Sequence, residues 1–203
     1  INLDRYKVLP PEMPERYIWV NLPAYKLELW DDDTMRLESK VVVGKPNTRT
    51  PLLTSRISDM VTYPQWTIPN SIIMKEIVPA LRRDPGYLAK KGYSLLTWEG
   101  EEVDPYTVDW TKYKKGIPYK VVQGSGDDNA LGILKFNFPN KYSVYLHDTN
   151  QRYWFKNAKR ALSHGCVRVQ EWEKLTYYIS ALDSINYESD PKRVVSDSIK
   201  VWL

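Results

Sequence analysis

RYIWVNLPAYKLELWDDDTMRLESKVVV, residues 16–43, contains three segments in which apolar and polar side chains alternate. Such alternation is typical of β-strands that bury one face. Pro23-Ala24 separates the first two segments, and the acidic run Asp31-Asp32-Asp33 separates the second from the third. Both interruptions favour turns. The stretch therefore predicts an antiparallel meander of three strands that ends near Gly44.

Alternating segments return later in the chain, and one of them carries a histidine. They lie at 119–123, 132–138 and 142–147, and a last strand is expected over 194–203. In the segment that ends at His147, Ser143 and Tyr145 stand at even spacing from the histidine. These three side chains are therefore expected to share one face of the strand.

Residues from about 51 to 117 behave differently from the β segments around them. Prolines interrupt them, and two short helices are expected, one after Ser71 and one after Asp84-Pro85. Long non-β insertions are commonly lids or binding loops, but these residues fit a merely structural excursion nearly as well. Further on, apolar residues at helical spacing predict one amphipathic helix packed on the core: Trp172, Leu175, Tyr178, Ile179 and Leu182.

The composition is that of one globular domain. The chain has 203 residues, of which 42% are hydrophobic and 27% charged, and this excludes disordered, collagen-like and low-complexity classes. No apolar run approaches the ~18 residues of a membrane span. The net charge of +4 is scattered along the chain, so no nucleic-acid partner is expected. The chain begins Ile1-Asn2-Leu3, which favours a processed protein or an excised domain.

The thiol and imidazole side chains are few and lie close together. The sequence has one cysteine, Cys166, and two histidines, His147 and His164. A lone cysteine or histidine is most often structural. Here, however, all three fall within residues 147–166, and an imidazole within hydrogen-bond reach can activate a thiol. The backbone N–H groups of Gly165 and Cys166 are candidates to face a developing oxyanion. This pattern favours nucleophilic catalysis.

Two other chemistries compete with this interpretation. Cysteine and histidine supply at most three metal ligands here, and their spacing fits no common zinc pattern, so no metal is expected. Asp148 would have to complete such a site. A hydrolase with a carboxylate pair is also poorly supported, because no particular pair of Asp or Glu stands out. No organic cofactor is implied.

The residues around the cysteine resemble the signature of a known family. His147-Asp148-Thr149, a spacer that runs to Leu162, and then Ser163-His164-Gly165-Cys166-Val167-Arg168 resemble the L,D-transpeptidase catalytic domain of the YkuD type. The chain is most similar to the YcbB-type branch of Gram-negative bacteria. That similarity extends over several segments: 20–25, 43–46, 50–52, 84–88, 108–110 and 145–149.

The resemblance implies a fold and a location. The fold is mainly β with α insertions: a mixed β-sandwich of the YkuD type, an inserted helical capping subdomain at about 51–117, and one packed helix near the C-terminus. Residues 1–203 would form a single catalytic domain with this lid inside it. The branch is periplasmic and usually carries further domains upstream, so a periplasmic location is expected.

The resemblance also implies an enzyme that remodels peptidoglycan. Cys166 would attack the carbonyl of the third, diaminopimelate residue of a tetrapeptide stem and release D-Ala. The amine of an acceptor stem would then resolve the thioester and form a 3-3 cross-link. His147 would be the general base. Carbapenem β-lactams would be covalent inhibitors of the thiol.

Several neighbouring residues receive supporting roles from the same resemblance. Ser163 and Arg168 would brace the motif loop, and Arg168 has an alternative role in pairing with a substrate carboxylate. His164 is expected to be a site-wall or structural residue. Asp148 is expected to be structural, because a backbone carbonyl commonly orients the imidazole in this family. Three aromatic residues are candidates to line the cleft, with ordinary packing as the alternative: Tyr145, Trp154 and Phe155.

Two other functions stay open from the sequence. Water in place of an amine would resolve the same thioester and make the protein an L,D-carboxypeptidase or endopeptidase. A non-catalytic wall-binding module with an aromatic-rich face belongs to a different class. Such a module would have no need of the His147 and Cys166 pair.

Overall fold

A computed structural model describes residues 13–182, 193–194 and 200–202 of the chain. Over these residues the protein is mainly β, with few helices. None of the helices in the described ranges combines the length and the apolar character needed to cross a membrane. The chain divides into two compact units, one with the described residues up to Thr62 and from Leu134 onwards, the other with Tyr63–Ile133.

The strands and helices have the following bounds. In chain order the strands are β1 (Arg16–Asn21), β2 (Lys26–Asp31), β3 (Thr34–Gly44), β4 (Thr54–Arg56), β5 (Asp59–Thr62), β6 (Trp66–Thr67), β7 (Tyr93–Leu96), β8 (Lys120–Gln123), β9 (Leu134–Asn137), β10 (Leu146–His147), β11 (Ala161–Ser163), β12 (Val167–Val169), β13 (Arg193–Val194) and β14 (Lys200–Trp202). The α-helices are α1 (Asn70–Ile72), α2 (Val78–Leu81), α3 (Tyr87–Lys90) and α4 (Trp172–Leu182), with a π-helical turn at Ile73–Ile77. Short 3₁₀ helices lie at Pro105–Thr107, Trp110–Lys112 and Arg152–Lys156.

The predicted meander is confirmed as the antiparallel strands β1, β2 and β3. Ile18 and Leu29 are fully buried and pair across β1 and β2. In the acidic run, Asp32 and Asp33 take positive φ angles of 48° and 56°. Aspartate tolerates this left-handed backbone better than most residues, which explains why the run makes a turn.

The main sheet folds over into a sandwich. Its strand order is β13-β5-β9-β10-β12-β3-β2-β1-β14-β4, and β11 pairs with β3. One buried cluster contains Ile18 and Leu29 from β1 and β2 together with Phe136 and Leu146 from β9 and β10. Side chains from both halves of the sheet therefore share one core, as is usual in a sandwich. The predicted fold class is confirmed.

The helix predicted near the C-terminus is α4. Leu175 and Ile179 are fully buried in the main core, and Trp172, Tyr178 and Leu182 pack against it while remaining partly exposed. The strand predicted over 194–203 lies partly outside the described residues. Within them, β14 pairs parallel with β1 and antiparallel with β4.

The strand predicted over 142–147 is shorter in the structure, where only Leu146–His147 is extended. The side chain of Asn140 explains the difference, because its Oδ1 accepts from the N–H groups of Tyr142 (3.0 Å) and Val144 (3.1 Å). A polar side chain that binds nearby backbone offers an alternative to strand pairing. Ser143 has a φ of 55° and therefore does not continue the strand.

The second compact unit, Tyr63–Ile133, has its own sheet and its own buried core. Its strand order is β6-β8-β7, and its core includes Ile73, Leu81, Leu95 and Val121. Two short helices lie within it close to the predicted positions: one begins at Asn70, ahead of the predicted start after Ser71, and the other begins at Tyr87.

The bounds of this unit differ from the predicted insertion at about 51–117. The unit begins later because β5 pairs with β9 in the main sheet, and it ends later because β8 pairs with β6 and β7. Its role as a capping subdomain stays a prediction.

Candidate active site

The candidate site lies on the face of β9, β10 and β12 that points away from the core. Lys135 pairs in register with His147, and His147 pairs with Arg168. Paired residues on neighbouring strands project to the same side, while the alternate residue Leu146 is fully buried. Cys166 directly precedes β12 at even spacing from Arg168, so its thiol belongs to the same face.

His147 is held by a backbone carbonyl. Its ring is buried, with 3% of the residue exposed, and Nδ1 hydrogen-bonds to Asp148 O. Because a carbonyl oxygen can only accept, Nδ1 carries the proton and Nε2 is the basic nitrogen of the ring. Tyr145 packs edge-on against the imidazole, with ring centroids 5.6 Å apart. The histidine is therefore fixed in both tautomer and orientation.

The carboxylate of Asp148 forms an ion pair with Arg152. Arg152 Nη2 donates to Oδ2 at 2.9 Å, and Arg152 Nε donates to Oδ1 at 3.3 Å. Asp148 is fully buried. The residue thus gives its backbone carbonyl to His147 and its side chain to the 3₁₀ segment that follows.

The thiol of Cys166 is enclosed although the residue as a whole is partly exposed. Burial raises the pKa of this thiol, while hydrogen bonds from Tyr145 and the positive charges of Lys135 and Arg168 oppose that rise. Sγ lies 3.9 Å from Ser143 O. Because a raised pKa leaves the thiol protonated at neutral pH, attack on a carbonyl requires a base to take the proton.

Hydrogen bonds of Ser163 close the loop that precedes Cys166. The buried hydroxyl donates to Cys166 O at 2.6 Å and accepts from the Gly165 N–H at 3.1 Å. Gly165 has a φ of 132°, in the region that L side chains rarely adopt. The loop conformation therefore depends on a small polar residue at 163 and on glycine at 165.

These bonds distinguish the two predicted oxyanion donors. The Gly165 N–H is engaged with Ser163 Oγ inside the loop, so its role as an oxyanion donor stays a prediction. The Cys166 N–H has no acceptor within the described residues. The backbone of Cys166 is therefore the donor that can face a developing negative charge.

Two threonines that follow β3 fasten this loop to the main sheet. Thr50 Oγ1 donates to Gly165 O at 2.7 Å and accepts from the Gly44 N–H at 3.0 Å. Thr48 Oγ1 donates to Ser163 O at 3.2 Å. The carbonyls of Ser163 and Gly165 are therefore held by side chains of the segment that follows β3.

Arg168 is 9% exposed and is held by an amide and an aromatic ring. Nη1 donates to Gln151 Oε1 at 2.7 Å, and the guanidinium carbon lies 4.2 Å from the Trp154 ring centroid. Burial lowers its pKa to about 10, so the group stays charged at neutral pH. No carboxylate pairs with it, and its Nε has no acceptor, among the residues that the structure describes.

The other predicted site residues fall into different environments. His164 is exposed, in contrast to the buried His147. Trp154 is partly buried beneath Arg168, whereas Phe155 is 4% exposed and belongs to the packed interior. The alternative of ordinary packing therefore describes Phe155.

Three residues of the site were missed by the sequence prediction. Lys135 lies on the face opposite Leu134 and Phe136. The alternation of apolar and polar residues over 132–138 already indicated this placement. Thr50 lies in a segment that resembles the family, but the resemblance assigned no role to this residue. Nothing in the sequence indicated Gln151.

The geometry suits acyl transfer through a thioester. It combines a thiol, an imidazole fixed through Nδ1, and the backbone N–H of the cysteine itself. Across the described ranges, His, Cys, Asp and Glu side chains do not gather in threes at any place where they could hold a metal ion.

Comparison with known proteins identifies the family. Residues 15–191 match the model of the YkuD family, described as the L,D-transpeptidase catalytic domain. A Haemophilus influenzae protein named "Putative L,D-transpeptidase" is 41% identical over 175 residues, which make up 86% of this chain and 35% of that protein. The chain thus spans about a third of the length of this relative.

Solved structures of L,D-transpeptidases show a lower similarity. The enzyme from Mycobacterium smegmatis is 15% identical, with 93% of this chain and 58% of that chain covered and a TM-score of 0.46. The catalytic domain from Enterococcus faecium acylated by ertapenem is 14% identical, with 95% and 99% covered and a TM-score of 0.44. The match to the family covers most of the chain and includes His147 and Cys166, so this chain belongs to the L,D-transpeptidase catalytic domain (YkuD) family.

Proposed function

We propose that this chain is the catalytic domain of a peptidoglycan L,D-transpeptidase that works through a thioester on Cys166. The observation that carries the proposal is the placement of Cys166 on the same sheet face as His147, whose Nδ1 is fixed by the Asp148 carbonyl. Membership of the family supports the class of substrate.

In the first half-reaction, the thiol attacks the carbonyl carbon of the third, diaminopimelate residue of a donor tetrapeptide stem. His147 Nε2 takes the thiol proton as the C–S bond forms, and the carbonyl oxygen becomes an oxyanion that faces the Cys166 N–H. Collapse of this intermediate breaks the C–N bond to the terminal D-Ala. The imidazolium returns the proton to the leaving amine, so the products are a thioester and free D-Ala.

In the second half-reaction, the side-chain amine of an acceptor stem attacks the thioester carbonyl. The amine gives a proton to His147, the C–S bond breaks, and the thiolate recovers that proton. The new amide joins two third residues in a 3-3 cross-link. Water in place of the amine would instead release a tripeptide stem.

The environment of Arg168 supports an acidic donor. Arg168 has no carboxylate partner among the described residues. Burying an unpaired guanidinium costs free energy, and an anion that pairs with it reduces this cost. Diaminopimelate carries a side-chain carboxylate, which a guanidinium binds well in a bidentate geometry. We therefore extend the proposal to a donor carboxylate at Arg168. Because this substrate lies in the periplasm of Gram-negative bacteria, we also propose a periplasmic location.

Product analysis by liquid chromatography and mass spectrometry tests this function. The protein is incubated with purified disaccharide-tetrapeptides, alongside a reaction without protein. We expect release of D-Ala and accumulation of dimers that are joined through two diaminopimelate residues.

Two other results would contradict the proposal. Tripeptide monomers without dimers would indicate an L,D-carboxypeptidase. Binding to sacculi with no turnover of the tetrapeptide would favour the non-catalytic wall-binding module.

A further inference from the structure

Lys135 occupies a central place on the candidate site face. It pairs in register with His147 across β9 and β10, and its Nζ lies 4.2 Å from the centroid of the Tyr145 ring. Tyr145 in turn hydrogen-bonds to the thiol of Cys166. The ammonium is therefore packed on the ring of a residue that acts on the thiol, and it lies on the strand next to that of the imidazole.

The charge of Lys135 has no ion-pair partner within the part of the chain that the structure describes. The side chain is half-buried, and burial lowers its pKa, while the negative charges of Cys166 and Asp59 raise it. Asp59 itself accepts hydrogen bonds from Ser58 and Asn137. A partly buried cation with little compensation stabilises an anion that forms nearby.

We propose that Lys135 is an electrostatic residue of the active site, whose positive charge stabilises the thiolate of Cys166. This inference deepens the proposed function, since it rests on Cys166 as the nucleophile. It applies to the negative charge that develops on the sulfur as it loses its proton and attacks the donor, and to the thiolate that leaves when the thioester is resolved.

Other charged and titratable groups also act on this sulfur. Those that face it from the neighbouring strands are Tyr145 and His147 on the β10 side and Arg168 on β12. The positive charges of Lys135 and Arg168 both lower the pKa of the thiol. Arg168 is also tied to Gln151 and Trp154, whereas the Lys135 ammonium is packed only on Tyr145 among its described contacts.

The pH dependence of alkylation measures this effect directly. Cys166 is the sole cysteine in the sequence, so reaction with iodoacetamide reports on this thiol alone. Loss of a stabilising positive charge raises the pKa of a thiol. We therefore expect Lys135→Met to move the midpoint of the rate profile upwards by on the order of one pH unit. Lys135→Arg, which keeps the charge, is expected to keep the midpoint near that of the unmutated protein.

Lys26→Met is the matched control. It removes the same charge from β2, where the ammonium pairs with Glu38 at 2.7 Å. The inference is overturned if Lys135→Met leaves the midpoint unchanged, or if Lys26→Met shifts it equally. Lys135→Gln replaces the Met variant if circular dichroism shows that the latter does not fold. Alkylation needs no peptidoglycan, so this result is independent of the product analysis.

Discussion

His147→Gln is expected to slow the acylation of Cys166 by a carbapenem by about 10²–10⁴-fold at neutral pH. Burial raises the pKa of the thiol, so at neutral pH the sulfur is protonated and needs a base when it attacks. Glutamine keeps a polar side chain of similar length but cannot take the proton. The rate is measured as the growth of the adduct in intact-mass spectra.

His164→Gln is the matched control, because it makes the same substitution at the other histidine of the sequence, which is exposed. This variant is expected to acylate at nearly the rate of the unmutated protein. In His147→Gln the residual rate should rise with pH, since only thiol that has already ionised reacts. Equal rates in the two variants would mean that His147 is not the base.

Gly44→Ala is expected to destabilise the fold by about 1–3 kcal/mol and to displace the loop from Ser163 to Cys166. A Cβ at this position would lie 2.1 Å from Thr48 O and 2.7 Å from Thr50 N, so the backbone would have to move. The hydroxyls of Thr48 and Thr50 hold the carbonyls of Ser163 and Gly165. Urea denaturation measures the loss of stability, and carbapenem acylation of the folded fraction measures the displacement of the loop.

Gly124→Ala provides the comparison for this substitution. A Cβ at Gly124 would meet nothing within 4 Å. We expect its free energy of unfolding and its acylation rate to stay close to those of the unmutated protein. If Gly44→Ala also left the free energy of unfolding and the acylation rate unchanged, the close approach of residues 48–50 to Gly44 would not be needed for the site.

Local periodicity was sufficient to predict much of the fold. The meander over 16–43 and helix α4 both follow from the spacing of apolar residues, because each buries one face against the core. The bounds of the second unit did not follow, since β5 and β8 have strand-like sequences and only their distant partners decide which sheet each joins. The shortening of the strand before His147 depends on Asn140, which competes for the local backbone.

The candidate site was predicted in part. The scarcity of cysteine and histidine reduced the candidates to Cys166, His147 and His164, and the resemblance to the family then favoured His147 as the base. Which backbone N–H can serve the oxyanion depends on the rotamer of Ser163, which no spacing in the sequence reveals. The contribution of Lys135 arises from the pairing of β9 with β10, between positions that are twelve residues apart in the chain.

The intact mass of the protein after incubation with a carbapenem shows whether Cys166 is a nucleophile in an acyl-transfer site. We expect the unmutated protein to gain the mass of one drug molecule, which peptide mapping should place on Cys166. Cys166→Ala should gain no mass while keeping its circular dichroism spectrum. A folded, unmutated protein that forms no adduct, or an Ala variant that forms the same one, would show that Cys166 is not this nucleophile.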